Sequence, residues 1–508
     1  MKRTLPILLV FFGFFGRSQS GYEIKVTIKD FHDSVAYLAK YVFGKQYIVD
    51  TCKTAWKMPV VFKGKKDLDK GMYFLASEEK GKATHRFDFI VDDSQKFSVT
   101  TDMKDLQYNL KGVGSKENDE FFDYYRFFHD KNKEFGELFP KTKGMSKADS
   151  TKFMQDKAKQ FTDNVLKFED DFAKKQQGTF LGLWLNLRKE KEVKVYPAGL
   201  KTANDSTMYR FNYYKSHYWD GVDFKDERIL HNQFFDGRLK KFFDQIVYQL
   251  GPDTVSNEID KILSQCIPGS ENFNYLFVHF MVEYENPKLV GFDKVFVMLV
   301  DNYIRTKKSG NIYDEKTTAK IIEKADIIGP LLIGKTAPDL FMIDTTNGKI
   351  VNKMGFDTAK TSKSVTDLYY KNMDKLAPLY RTLSSVKAKY TILVFWDVDC
   401  SHCQTEIPKL RDIYHELKKT VDVEVFSVYT VDEYDKWRKY IIDKKLDWIN
   451  VYDPVHINNL KTKYDIFSTP KVYLLDKNKV IKSKHMPVDK ITDLIKAYEE
   501  EEKAKAPK

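Results

Sequence analysis

Cys400 and Cys403 are the two cysteines whose spacing equips them for joint chemistry. They stand in the run Phe395-Trp396-Asp397-Val398-Asp399-Cys400-Ser401-His402-Cys403-Gln404-Thr405-Glu406-Ile407-Pro408, where an apolar stretch gives way to a polar one. A separation of three puts both sulfurs near the first turn of a helix, where unpaired backbone N–H groups and the helix dipole favour an anion. The thiolate is the nucleophile, so attack on a substrate disulfide falls to Cys400, and Cys403, one turn further in, resolves the mixed disulfide. Other uses of the pair fit less well. A structural zinc site needs two more ligands at paired spacing; His402 lies inside the motif, His415 lies on the helix that follows, and no second Cys-x-x-Cys exists. Haem attachment needs a His directly after the second Cys, and Gln404 stands there. A static disulfide is the plain alternative, against which a strand-to-helix junction in an α/β pattern favours redox work.

The elements that must hold the pair are legible around it. Tyr390-Thr391-Ile392-Leu393-Val394-Phe395-Trp396 is a continuous apolar run of the kind that fills a buried central strand. The downstream pattern predicts a helix over 403–418, a strand over 421–429, a helix over 431–444, strands over 471–475 and 480–484, and a terminal helix over 488–502. Strands alternating with helices and ending in a hairpin imply a mixed α/β sheet covered on both faces. Upstream, Gly334 to Leu340 reads as a linker, and the polar segment from 352 to 375 as a loop with one short helix. From Gly21 to about Leu110, period-two runs such as Tyr22 to Ile28 and Phe87 to Val91 predict a small antiparallel β domain. Between about Lys116 and Lys324 apolar residues recur at helical spacing; Phe121, Phe122, Tyr125 and Phe128 form one such stripe, assigned to core.

The first twenty residues predict the compartment. Lys2 and Arg3 precede an apolar run from Leu5 to Phe15, and Ser18 and Ser20 are small residues at the −3 and −1 positions of a cleavage site before Gly21. That is a secretory signal peptide, too short for the roughly 20 residues of a membrane span. Its removal takes the formal charge from +11 to about +8, which excludes a strongly basic nucleic-acid surface. Outside the cytosol thiols are not kept reduced, so a close Cys pair is either a stable disulfide or part of the machinery that makes and breaks them. Cys52 and Cys266 lie in different predicted regions; a bridge between them is conceivable, and buried free thiols are the preferred reading.

These residues resemble a known family. The segment from about Leu332 to Glu502 is similar to the exported thiol-disulfide oxidoreductases of the TlpA/ResA type, which carry a thioredoxin fold. The resemblance rests on Ile333-Gly334-Lys335 with Ala337-Pro338-Asp339, on Val394-Phe395-Trp396, on Cys400 and Cys403, on Glu406 and Pro408, and on Ser468-Thr469-Pro470. It implies a cis peptide between Thr469 and Pro470, beside the cysteines and available to substrate backbone, and it assigns proton transfer around Cys403 to Glu406. Trp396, His402, Thr469 and Pro470 are then the substrate-facing residues, with no cofactor beyond a redox-active Cys400–Cys403 disulfide and no metal. The acid that thioredoxins bury on the strand before the motif is absent; Val394 stands in its place. Asp397 and Asp399 would raise the pKa of Cys400 and a charged or donating His402 would lower it, so the direction stays open. A peroxidase is disfavoured, because Leu393 and Asp397 occupy the places where peroxiredoxins carry Pro and Thr.

The whole layout resembles multidomain exported proteins of Bacteroidota: a signal peptide over 1–20, a small β domain over 21–112, a helical domain over 113–330 and a thioredoxin-like domain over 331–508. The expected activity is reduction or isomerisation of protein disulfides in the periplasm or cell envelope. The implied partners are exported proteins with thiols or disulfides, or a haem-protein maturation apparatus, and an electron donor or acceptor protein at the membrane, with no nucleic acid. The alternative is a binding or scaffold protein whose front end recognises a partner.

Overall fold

The computed structural model describes residues 21–505 apart from 54, 80, 190–192, 194, 195 and 360; the segment read as a signal peptide lies outside them. The chain divides into two compact units, residues 1–276 and 277–508. It is multidomain, with N-terminal sheets, a helical middle and a C-terminal mixed sheet flanked by helices.

The first unit begins with strands β1 (Tyr22–Lys29), β2 (Ala36–Val42), β3 (Lys45–Cys52), β4 (Val60–Gly64), β5 (Gly71–Glu79), β6 (Lys82–Val91), β7 (Lys96–Asp102) and β8 (Lys111–Val113). They form two four-stranded sheets, of order β4-β1-β7-β8 and β3-β2-β5-β6. Period-two alternation is plain in β1, where Ile24, Val26 and Ile28 are buried while Lys25, Thr27 and Lys29 are exposed. The pairings are antiparallel except that β1 runs parallel to β7, a partner too distant in sequence for alternation to reveal. Helices follow: α1 (Lys116–Gly136), α2 (Lys147–Lys175), α3 (Phe180–Arg188), α4 (Ala203–Ser216), α5 (Phe235–Lys241), α6 (Pro252–Gln265) and, at the division, α7 (Glu271–Glu285). Ser115 caps α1 by accepting from the Asn118 N–H. The Asn118 amide accepts from the Ile90 N–H and donates to the Ile90 carbonyl, both at 2.7 Å, which fastens the helix to β6. The predicted aromatic stripe is core: Phe121 and Phe122 are fully buried, and Phe121 meets Trp184 edge to face at 5.3 Å.

In the second unit α8 (Asp293–Leu299) and α9 (Glu315–Ile328) precede a seven-stranded sheet. Its strands are β9 (Phe341–Asp344), β10 (Tyr380–Thr382), β11 (Tyr390–Trp396), β12 (Val423–Tyr429), β13 (Ile449–Tyr452), β14 (Lys471–Asp476) and β15 (Ile481–Lys484), ordered β10-β9-β13-β12-β11-β14-β15. The helices are α10 (Gly348–Lys353), α11 (Ser362–Leu376), α12 (Ser401–Leu417), α13 (Tyr434–Lys444), α14 (Leu460–Lys463) and α15 (Ile491–Lys505). Strand β11 is buried at every residue, parallel to β12 on one side and antiparallel to β14 on the other. Its alternate residues feed two cores: Ile392, Val394 and Trp396 pack with Cys403 and Ile407, whereas Leu393 and Phe395 pack with Tyr473 and Leu475.

Three features depart from the sequence expectation. Strands β10 and β13 have no counterpart in that expectation. The segment expected to be a loop with one short helix begins at the end of α10 and is filled by the 15-residue α11, which starts in a capping box between Thr361 and Ser364 and buries Val365 and Leu376. The expected linker is pinned to the sheet: the Gly334 N–H donates to Ile481 O at 2.8 Å, Ile481 N–H to Lys335 O at 2.8 Å and Ala337 N–H to Lys479 O at 2.9 Å. Close by, the buried ammonium of Lys484 bonds to Leu331 O at 2.8 Å and pairs with the Asp293 carboxylate of α8.

Candidate active site

Strand β11 delivers the chain to the site and α12 begins there. Cys400 is the N-cap residue of α12, and Cys403 lies one turn in, with no exposed surface. Cys400 is half-buried; its thiol donates to the carbonyl oxygen of Thr469 at 3.2 Å. The Thr469–Pro470 peptide is cis, as the resemblance implies. The loop before β14 and the start of α12 therefore meet at Cys400 Sγ.

The two thiols are driven in opposite directions. Burial pushes the Cys400 thiol up, but hydrogen bonds from the side chain of Thr469, from the Cys403 side chain and from the backbone N–H groups of Cys403 and His402 outweigh it, and its pKa lies below the ordinary thiol value. For Cys403 burial dominates and pushes the thiol up to about 12. Among the opposing influences read from the sequence, those that favour a thiolate prevail at Cys400. Asp399, which could have opposed a thiolate, is exposed and ion-paired with Lys436 of α13, and Asp397 turns a carboxylate oxygen to the Asp399 N–H at 3.0 Å.

The other expected site residues are not all at the surface. His402 is exposed and, with Pro470, lines an open groove of about 590 Å³ together with Ser468, Lys471, His485 and Met486. Glu406 lines the same groove, half-buried, and is paired with Lys409 at 2.8 Å. Trp396 corrects its expected role: it is fully buried, its indole N–H donates to Ser427 Oγ at 2.7 Å, and its ring packs on Tyr429 and Tyr440, so it presents no face to a substrate. Residues that the sequence did not single out include His485 and Met486, carried in by the end of the β14–β15 hairpin, Lys436, and Phe467, which is 70% exposed two residues before Thr469. Of the remaining cysteines, Cys266 is buried as expected, but Cys52 at the end of β3 is only partly so, and they are not bridged to one another.

A buried central strand, a helix opened by Cys-x-x-Cys and a cis-proline loop against the first sulfur define a thioredoxin-like domain. Residues 377–484 match the AhpC/TSA family, and the C-terminal domain belongs to that thioredoxin-like family. Residues 22–121 match a domain of unknown function (DUF4369), and residues 195–324 another (DUF5106). Among solved structures, a domain of a possible thiol-disulfide isomerase from Cytophaga hutchinsonii is 36% identical, with 35% of this chain and 99% of that one covered and a TM-score of 0.27. A thioredoxin-like protein from Bacteroides caccae is 18% identical, with 61% and 99% covered and a TM-score of 0.41. A thiol:disulfide interchange protein from a Bacteroides species is 22% identical, with 33% and 90% covered and a TM-score of 0.24. No curated protein matches the chain.

Proposed function

We propose that the C-terminal domain carries out thiol-disulfide exchange on exported proteins, with Cys400 as nucleophile and Cys403 as resolving thiol. The observation that supports this most is the split between an accessible thiol held below its ordinary pKa and a buried partner held at about 12. The Cys400 thiolate attacks one sulfur of a substrate disulfide, forms a mixed disulfide and expels the other sulfur as a thiolate. Cys403 then gives up its proton, attacks Cys400 Sγ and releases the second substrate thiol, so two electrons pass from the dithiol to the substrate. The groove beside Pro470 offers room for the polypeptide around the reacting cysteine. An electron donor at the membrane would restore the dithiol. Export is inferred from the charged, apolar and small-residue regions of 1–20; among the described residues no helix is long and apolar enough to cross a membrane.

Replacing Cys403 with Ser in the full chain leaves mixed disulfides on Cys400 that non-reducing electrophoresis detects; absence of any trapped species counts against the reading. The reduction potential of the couple sets the direction, a value near about −270 mV marking a reductant and one near about −120 mV an oxidant.

A second reading makes the front end a recognition module and the thioredoxin-like domain its accessory. It is favoured by the extent of chain that matches only families of unknown function. Deleting residues 21–330 distinguishes the two, since unchanged partner capture by Cys400 would deny the front end a recognition role.

A further inference from the structure

One wall of the groove beside Pro470 is a single stretch of chain, His485-Met486-Pro487-Val488. It leaves the end of β15 through His485, whose φ of 51° lies in the left-handed region that residues other than glycine seldom take. Whatever holds the strand end at that turn therefore sets where the wall stands. Lys484, the last residue of β15, is paired with Tyr473 of β14, and its side chain is only 4% exposed. Its ammonium bonds to Leu331 O at 2.8 Å and to the carboxylate of Asp293 on α8, which is 15% exposed and stands 191 positions earlier in the chain. A buried ammonium is tolerated only where it is paired. Without the carboxylate the Lys484 side chain would have to reach for water, and the strand end would turn with it. The next residue feels such a shift at once, because His485 both lines the groove and places Nε2 3.3 Å from Tyr473 Oη.

We propose that Asp293 is a positioning residue for the substrate groove: through its ion pair with Lys484 it fixes the wall formed by residues 485–488 against which a polypeptide substrate lies. Asp293 acts through Lys484 and takes no part in the transfer of electrons. The inference rests on the exchange reading only in taking the groove as the place of the polypeptide beside Cys400. Helix α8, which the sequence leaves outside a thioredoxin-like domain starting at 331, thereby shapes the substrate surface of that domain.

The test uses the full chain with insulin as the protein disulfide and dithiothreitol as the reductant that is consumed. Beside it runs a small disulfide, 5,5′-dithiobis(2-nitrobenzoate), which reacts at Cys400 without filling the groove. Asp293→Asn removes the charge and keeps the shape. The expected result is a KM for insulin raised roughly three- to tenfold, with kcat and the rate of the first thionitrobenzoate release unchanged, the pattern of lost substrate binding rather than lost chemistry. Lys484→Met, which takes out the buried ammonium itself, is the second arm and should raise the KM likewise. Because both residues act through one contact, the double variant should be no worse than the more affected single one. An unchanged KM in both single variants, additive effects in the double variant, or equal slowing of insulin and the small disulfide overturns the proposal while leaving exchange by Cys400 and Cys403 intact. A wild-type protein that reacts with the small disulfide and never turns over insulin would instead remove exchange on proteins, and the proposal with it.

Discussion

Both units of the molecule bury a cysteine at a helix end, and in both burial pushes the thiol up to about 12: Cys266 in the first and Cys403 in the second. Cys266 closes α6 at its C-terminus, where its thiol donates to the Ile262 carbonyl at 3.4 Å. That end of a helix presents carbonyl oxygens and the negative pole of the dipole, which disfavour a thiolate. Cys403 sits at the opposite kind of end, one turn from Cys400, where N–H groups point at sulfur. Burial therefore does not separate the inert cysteine from the reactive one. What separates them is helix polarity and a second thiol within reach, which lets a buried sulfur act without meeting substrate itself.

Several measurements would break or sharpen this contrast. The largest effect belongs to Cys400→Ser, which should reduce exchange activity to background, whereas Cys266→Ser should leave it within about twofold; a comparable loss in both would dissolve the distinction. Next, at pH 7 and under native conditions, iodoacetamide should label Cys400 at least about a hundredfold faster than Cys266, as followed by peptide mass spectrometry. The pH dependence should divide them further. Because the pKa of Cys400 is lowered, its thiolate population and labelling rate rise with pH through a midpoint below that of an ordinary thiol, while Cys266 stays protonated over the same range. The smallest effect is on stability: Cys266→Ala should cost about 1 kcal/mol in denaturant unfolding of the first unit, as loss of a small buried apolar group.

Much of the second unit is legible because several local signals coincide. Seven residues that are apolar apart from Thr391 announce β11, the change to a polar pattern announces α12, and Thr469–Pro470 stands where a strand must begin. What the sequence conceals is which face a residue takes and what arrives from elsewhere. Trp396 ends an unbroken apolar run, so nothing in that run distinguishes a substrate platform from a core residue; the decision lies with Ser427 on the neighbouring strand. The groove wall at His485 and Met486 depends on where a hairpin ends, and the four-residue β13 is short enough to pass for the tail of a helix. Helix α11 is hidden by its many polar residues, which include the buried Asn372 on the side where Val365, Leu368, Tyr369 and Leu376 meet the core. In the first unit alternation and helical spacing reveal strands and helices, but the parallel pairing of β1 with β7 joins residues some seventy positions apart and leaves no local trace.

The short stretch from Gly334 to Ala337 has a consequence for solubility. A sheet margin with open N–H and C=O groups is a template on which other chains can add. At one side of the seven-stranded sheet β10 offers only three residues; at the other, Gly334 and Lys335 bond to Ile481 at the start of β15, and Ala337 to Lys479 just before it. A C-terminal fragment beginning after Pro338 would lose that cover and should self-associate, and light scattering beside a fragment beginning at Leu331 would show the difference. The segment that reads as a mere connector is thus a guard against fibre-like stacking of the domain it introduces.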